Sequence, residues 1–120
     1  MIIAVPSEGN SLDSKVAEHF GRCPFFIVIT VKENKVQDFK AVANPFVENH
    51  RPYVVVEFIA GFKPDYVLCD GIGPRAINSL NQQGIKVIKG CSGSISEVVN
   101  SFLENKLTDS ANPCKHLKGE

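Results

Sequence analysis

The sequence predicts a single α/β domain built from a five-stranded mixed sheet with flanking helices. Apolar runs of strand length alternate with segments whose apolar residues recur at helical spacing, and two of the strand-like runs are joined by a short polar connection. The 120 residues, 43% of them hydrophobic, are enough for one domain with a sizeable core. We expect this domain to span residues 1–107 and a polar tail to follow at 108–120.

Three strands are predicted in the first half of the chain. Met1–Val5 is a continuous apolar run, typical of a central strand buried on both faces. Phe25–Val31 and Val36–Val42 flank the polar connection Lys32–Lys35, which has hairpin length, so these two strands are expected to pair antiparallel. A helix-shaped segment ending at His19 is expected to leave the first strand.

Helices and strands alternate in the second half. Pro52 suits a first helical turn, and the apolar residues after it follow one helical face: Val55, Phe58, Ile59 and Phe62. The next predicted elements are a strand at Asp65–Cys69, a helix from Pro74 to Gly84, and a strand at Ile85–Ile88. Ser94 and Glu97 form a capping box that opens a last helix, whose inward residues are Ile95, Val98, Val99 and Phe102. Strands separated by single helices run parallel, so the order β-β-β-α-β-α-β gives a mixed sheet.

Composition excludes several classes of function. The 13 basic and 13 acidic residues balance, so no net field attracts nucleic acid or an anionic membrane. No apolar run approaches membrane-spanning length, and the N-terminal run lacks the pattern of a signal peptide. Four cysteines are scattered through a chain that can form its own core: Cys23, Cys69, Cys91 and Cys114. This usage argues against a secreted disulfide framework, and we expect a cytoplasmic protein with reduced thiols.

The segment from His19 to Cys23 is the main candidate for chemistry. It places an imidazole, the Arg22 cation and a thiol within five residues, beside Gly21. Imidazole and thiolate together suit zinc, copper or an iron–sulfur species, and a nearby arginine favours an anionic ligand. The alternative is a short helix that ends at Phe20 with Gly21 as its C-cap, which needs no ligand.

Three loops are expected to meet at the carboxyl ends of the parallel strands, where ligands of such sheets gather. They are residues 7–12, 71–74 and 90–94. Gly71, Ile72 and Gly73, followed by Ala76, match the pattern G-x-G-x-x-A. A dinucleotide site would need an acid where Lys89 ends the next strand, so the alternative is that these glycines only permit a tight turn.

The loop before the last helix is rich in small residues: Gly90, Cys91, Ser92 and Gly93. Its backbone amides could cradle an anion at the helix N-terminus. A simple capped turn explains the same residues equally well.

Together, the His19–Cys23 segment after a Pro-Ser-Glu-Gly loop, the Gly71–Gly73 turn followed by Ala76, and Gly84–Val87 are similar to the dinitrogenase iron-molybdenum cofactor biosynthesis family. The resemblance covers about Met1 to Leu107. It implies a ribonuclease-H-like topology without the acidic nuclease centre of that fold. It further implies that His19 and Cys23 are metal ligands, with Arg22 and the loops at 71–73 and 90–93 beside them.

From this resemblance we expect a non-enzymatic protein that binds, carries or stores an anionic iron–sulfur or iron–molybdenum–sulfur cluster or its precursor, and that meets a cluster donor or acceptor protein. No pair of acidic residues has a spacing that indicates a general acid and a general base. The alternative is a regulatory or protein-interaction domain without metal. A zinc site that adds the tail residues Cys114 and His116 to His19 and Cys23 is not expected, because the spacings do not match a zinc finger.

Overall fold

The computed structural model describes residues 1–48 and 51–104. The strands are β1 (Ile2–Ser7), β2 (Phe25–Lys32), β3 (Lys35–Ala43), β4 (Tyr66–Leu68) and β5 (Lys86–Ile88). The helices are α1 (Pro52–Ala60), α2 (Pro74–Gln82) and α3 (Ile95–Leu103), and a single 3₁₀ turn covers Phe20–Arg22. No helix among the described residues is long and apolar enough to cross a membrane. The predicted tail at 108–120 lies outside the described residues.

The five strands form one mixed sheet in the order β3-β2-β1-β4-β5. β1 pairs antiparallel with β2 and parallel with β4, while β3 extends the antiparallel part and β5 the parallel part. The β2–β3 connection turns at Glu33 and Asn34, with φ angles of 53° and 63°. Two successive left-handed residues match the twist of a hairpin. The strand pairings confirm both the predicted antiparallel pair and the predicted parallel core.

The pleat of the strands divides the core between two faces of the sheet. Ile3 of β1 packs with α3, whereas its neighbour Ala4 packs with α1 and α2. The α3 side also receives Leu68 and Ile88, and the other side receives the residues next to them in the chain, Val67 and Val87. Both faces are therefore covered, as the unbroken apolar run of β1 predicts.

The predicted helical faces are confirmed except at Phe62, which lies beyond the end of α1, and the aromatic residues are less buried than expected. The aliphatic members of the predicted faces are buried: Val55, Ile59, Ile95, Val98 and Val99. The aromatic members Phe58, Phe62 and Phe102 are only partly buried. Phe58 lies against Phe62 with ring centroids 5.5 Å apart, and Phe102 lies against Tyr66 at 4.7 Å. These rings pack on one another at the margins of the core instead of inserting under the sheet.

The helix expected before His19 is absent, and the segment is irregular and extended instead. Its backbone bonds to three neighbours: Glu8 N donates to Lys15 O at 2.9 Å, Ala17 N to Pro6 O at 2.9 Å, and Val16 N to Gly93 O at 2.9 Å. These long-range hydrogen bonds satisfy the groups that a helix would have paired internally. The prediction of a helix was wrong because tertiary pairing outweighs local preference here.

The capping box predicted at the start of α3 is present. Glu97 N donates to Ser94 Oγ at 3.1 Å, and Ser94 N donates to Glu97 Oε1 at 3.2 Å. Both bonds satisfy amides that the helix cannot pair internally.

Ser94→Ala should lower the free energy of unfolding by about 1 kcal/mol, because Glu97 N loses its acceptor. Urea denaturation measures this change. Ser101→Ala removes a hydroxyl from the body of the same helix and should change the free energy much less. Equal losses in the two variants would contradict a stabilising role for the cap.

Candidate functional site

A cleft of about 460 Å³ opens at the carboxyl edge of the parallel strands. The chain segments 19–22 and 71–73 line it, together with Val55 of α1 and Ala76 of α2. Both α1 and α2 cover the same face of the sheet. The cleft therefore lies where strand β4 turns into α2, the position at which ligands bind in open α/β sheets.

A short backbone pairing carries His19 to this cleft. Gly71 N donates to Glu18 O at 2.9 Å, and Phe20 N donates to Gly71 O at 2.9 Å. The Phe20 ring is buried and meets the ring of Phe26 edge-on, with centroids 5.6 Å apart. His19 itself is exposed, and its imidazole makes no hydrogen bond within the described part of the chain. The imidazole is thus held at the rim and available to a ligand.

Gly71 is required by this pairing. A Cβ atom at Gly71 would lie 2.6 Å from Glu18 O, well inside contact distance, and 3.7 Å from His19 Nδ1. A Cβ atom at Gly73 would meet nothing within 4 Å. The first glycine of the turn therefore permits close approach of two backbones, while the second leaves space in the cleft.

The N-terminus of α2 adds anion-binding character. Gly73 is the N-cap and offers no side-chain oxygen, and the first turn of the helix holds no acidic residue. Among the described residues, the amides of Ile72 and Gly73 have no hydrogen-bond acceptor. Unpaired amides at the positive end of a helix favour an anion, and Arg22 places a cation on the same cleft.

Cys23 does not reach the cleft. It is 1% exposed, and its thiol donates to Phe20 O at 3.3 Å. Side chains three residues apart eclipse one another in a 3₁₀ turn, so Cys23 follows Phe20 into the core while Arg22 follows His19 to the cleft. Burial raises the pKa of the Cys23 thiol to about 12. The structure therefore separates the two residues predicted as joint metal ligands.

Sequence reasoning missed Asn44, a buried polar residue that fixes this turn. Its Nδ2 donates to Cys23 O at 2.9 Å and to Gly21 O at 3.3 Å, and its Oδ1 accepts from Phe46 N at 2.9 Å. The only signal in the sequence is an Asn-Pro pair at the end of a strand, which is typical of any turn.

The loop at Gly90–Gly93 serves the other face of the sheet. Gly90 N donates to Asp70 O and Cys91 N to Cys69 O, both at 2.9 Å, so these amides extend the β4–β5 pairing. Gly90 and Gly93 have φ angles of 79° and 107°, which glycine adopts freely. The predicted meeting of this loop with the cleft is not observed, because Cys91 packs on the α3 side.

The three described cysteines are all buried in the core. Cys69 is buried, as expected of a small apolar residue, and Cys23 and Cys69 are free thiols. Cys91 is disulfide-bonded, so the expectation of reduced thiols was wrong at this position. Within residues 1–48 and 51–104, no three His, Cys, Asp or Glu side chains converge on a metal-ion site. The Cys114 and His116 pair lies outside the described residues.

The family model described as dinitrogenase iron-molybdenum cofactor matches residues 1–105. The chain belongs to this family. An uncharacterized protein of Methanocaldococcus jannaschii is 29% identical over 109 residues, which is 89% of each chain. The match to the iron-molybdenum cofactor family spans both segments of the cleft.

Two solved structures extend the comparison. The crystal structure of the protein PH0822 has a TM-score of 0.81 and 34% identity, covering 91% of this chain and 96% of its own. The apo form of the orange protein from Desulfovibrio gigas has a TM-score of 0.84 and 26% identity, covering 93% and 94%. The family fold therefore extends over nearly the whole chain, and a cofactor-related role follows for this family member.

Gly71→Ala should lower the free energy of unfolding by about 1–3 kcal/mol, because the added methyl group collides with Glu18 O and separates the paired backbones. Gly73→Ala should change it by less than about 1 kcal/mol, since its Cβ enters open space. Thermal or urea unfolding of both variants tests this pair. If the two substitutions cost the same, the close approach at Gly71 does not determine the turn.

The buried thiols should make the protein sensitive to alkali. Burial raises the pKa of both Cys23 and Cys69 from 9.0 to about 12, and the Asp70 carboxylate adds to the effect at Cys69. Above pH 9 the unfolded chain releases thiol protons that the folded chain keeps, so the free energy of unfolding should fall between pH 9 and pH 12. Well below pH 9 the thiols are protonated in both states, so they cause no change of the free energy of unfolding with pH.

Urea unfolding at about pH 7.5 and about pH 10 measures the alkaline loss, which should be on the order of 1 kcal/mol per thiol. The double variant Cys23→Ala with Cys69→Ala should be less stable at the lower pH but should lose less on going to the higher pH. An equal alkaline loss in parent and variant would rule out the thiols as its cause.

Proposed function

We propose that this protein binds, carries or stores an anionic iron–sulfur or iron–molybdenum–sulfur cluster, or a precursor of one, without catalysing a reaction. The observation that carries the proposal is the cleft of about 460 Å³, which joins an exposed imidazole, a guanidinium and two amides that have no acceptor among the described residues. Matching by the iron-molybdenum cofactor family model supports a metal–sulfur species as the cargo.

The donor set of the cleft suits a preassembled cluster better than a bare metal ion. A bare ion needs several protein ligands, and His19 is the only side chain of metal-binding type that lines the cleft among the described residues. A cluster brings its own sulfides, so one imidazole can complete its coordination. Arg22 and the amides of Ile72 and Gly73 then offset the negative charge of the cargo.

We assign the ligand role to His19 and a positioning role to Cys23. A thiolate ligand at Cys23 would require deprotonation of a thiol whose pKa burial raises to about 12, as well as opening of the turn. The hydrogen bond from the Cys23 thiol to Phe20 O supports the alternative that this thiol holds the turn in shape. The loop at Gly90–Gly93 packs on the α3 side of the sheet, so we assign it a role in supporting α3 and none in contacting the cargo.

Similarity to the orange protein supports this proposal. The orange protein is similar over 93% of this chain, and its structure is that of an apo form. A carrier also needs a protein that donates or accepts the cluster, and we propose such partners for this chain.

The strand order β3-β2-β1-β4-β5 supports the ribonuclease-H-like topology that the resemblance implies.

Anaerobic uptake of metal–sulfur species tests the proposal. The purified protein is titrated with tetrathiomolybdate, and separately with a synthetic cubane iron–sulfur cluster, and binding is followed by visible absorption and metal analysis after gel filtration. The parent should acquire a chromophore. His19→Ala should raise the Kd about tenfold or more, because it removes the coordinating nitrogen. Arg22→Glu should weaken binding by reversing a charge on the cleft.

Matched variants separate the candidate ligands. His116→Ala removes the imidazole of the C-terminal tail and should bind as the parent does. Cys23→Ser keeps a hydroxyl donor for Phe20 O and should retain most of the binding. No uptake by the parent, or uptake that His19→Ala leaves unchanged, would overturn the assignment and favour a protein-interaction domain.

A further inference from the structure

A second cleft, of about 420 Å³, is lined by residues at the start of α1 and by residues of α2. Among the described residues, five line it: Arg51, Tyr53, Arg75, Asn78 and Ser79. It shares no described lining residue with the first cleft, on which His19 lies and which is called the His19 cleft below. On α2 the spacing 75, 78, 79 forms one face, whereas Ala76 lies on the face turned to the His19 cleft.

The lining of this second cleft consists of hydrogen-bond donors. Each of the five side chains carries at least one N–H or O–H group, and none carries a carboxylate. The Arg51 guanidinium donates from Nη1 to the Tyr53 hydroxyl at 3.4 Å. Tyr53 is 56% exposed, so its hydroxyl and the cleft remain open to solvent.

The two arginines lack an acidic partner within the described part of the chain. No carboxylate among the described residues pairs with Arg51 or Arg75, and neither helix has an acidic residue in its first turn. α1 precedes β4 and α2 follows it, so both helices begin at the carboxyl edge of the sheet and bring these arginines from separate elements to one cleft. Two like charges on one cavity repel, and a bound oxyanion would remove that repulsion.

We propose that Arg51 and Arg75 form a second binding site, which takes a phosphate or carboxylate group of a small molecule. Guanidinium groups bind both kinds of oxyanion through paired N–H donors. Asn78 and Ser79 supply neutral donors to the remaining oxygens. The site is separate from the proposed cluster cleft, and its ligand needs no metal or sulfur.

Amide chemical shifts of the full chain test this site during titration with sodium pyrophosphate, and in a second arm with sodium succinate. Sodium chloride at matched ionic strength is the control for general charge effects. Pyrophosphate should shift the amides of Asn78 and Ser79 in a saturable way. A response to succinate as well identifies a carboxylate as a competent source of the oxyanion, and a response to pyrophosphate alone restricts the site to phosphates.

Arg75→Gln and Arg51→Gln should each weaken binding about tenfold, the loss expected for one charge-assisted contact. Lys35→Gln removes an exposed cation at the start of β3 and should bind as the parent does. Both arginine variants should still take up tetrathiomolybdate like the parent, which separates this site from the proposed cluster site. Absence of saturable shifts in both arms, or binding that survives Arg75→Gln, would overturn the proposal.

Discussion

The close approach of two backbones at Gly71 is the constraint on which the cleft depends. Residues 18–20 pair with Gly71 through two hydrogen bonds, and no side chain fits between them. This contact docks the segment after β1 onto the strand-to-helix turn after β4. It places His19 outward and Phe20 inward, so one glycine determines both the position of the imidazole and the anchoring of the turn.

The pleat of the sheet decides which loops can act together. Successive residues of a strand point to opposite faces, and the loops that follow β4 and β5 continue onto opposite sides. The turn after β4 leads into α2 beside the cleft. The loop after β5 leads into α3, and its residue Cys91 is buried on the α3 side. Proximity of three loops at one edge therefore does not make one site.

Local charge differs strongly from the neutral charge of the whole chain. The formal net charge is zero, but Arg22, Arg51 and Arg75 lie on two clefts formed around α1 and α2. Neither of these helices has an acid in its first turn. Basic and acidic residues cancel only when summed over the chain, so the positive charge of these three arginines is a local feature of the region around α1 and α2.

The sequence by itself determined the strands, the three helices, the hairpin and the capping box, because periodicity, turn residues and capping residues act over a few neighbours. It also identified His19, Arg22 and the Gly71–Gly73 turn, whose residue types carry the chemistry of the cleft. Only the tertiary structure decided that Cys23 is buried, that the segment before His19 is extended, and that Asn44 holds the turn. These outcomes depend on eclipsed side chains in a 3₁₀ turn and on hydrogen bonds between distant residues, and neither leaves a periodic pattern in the chain.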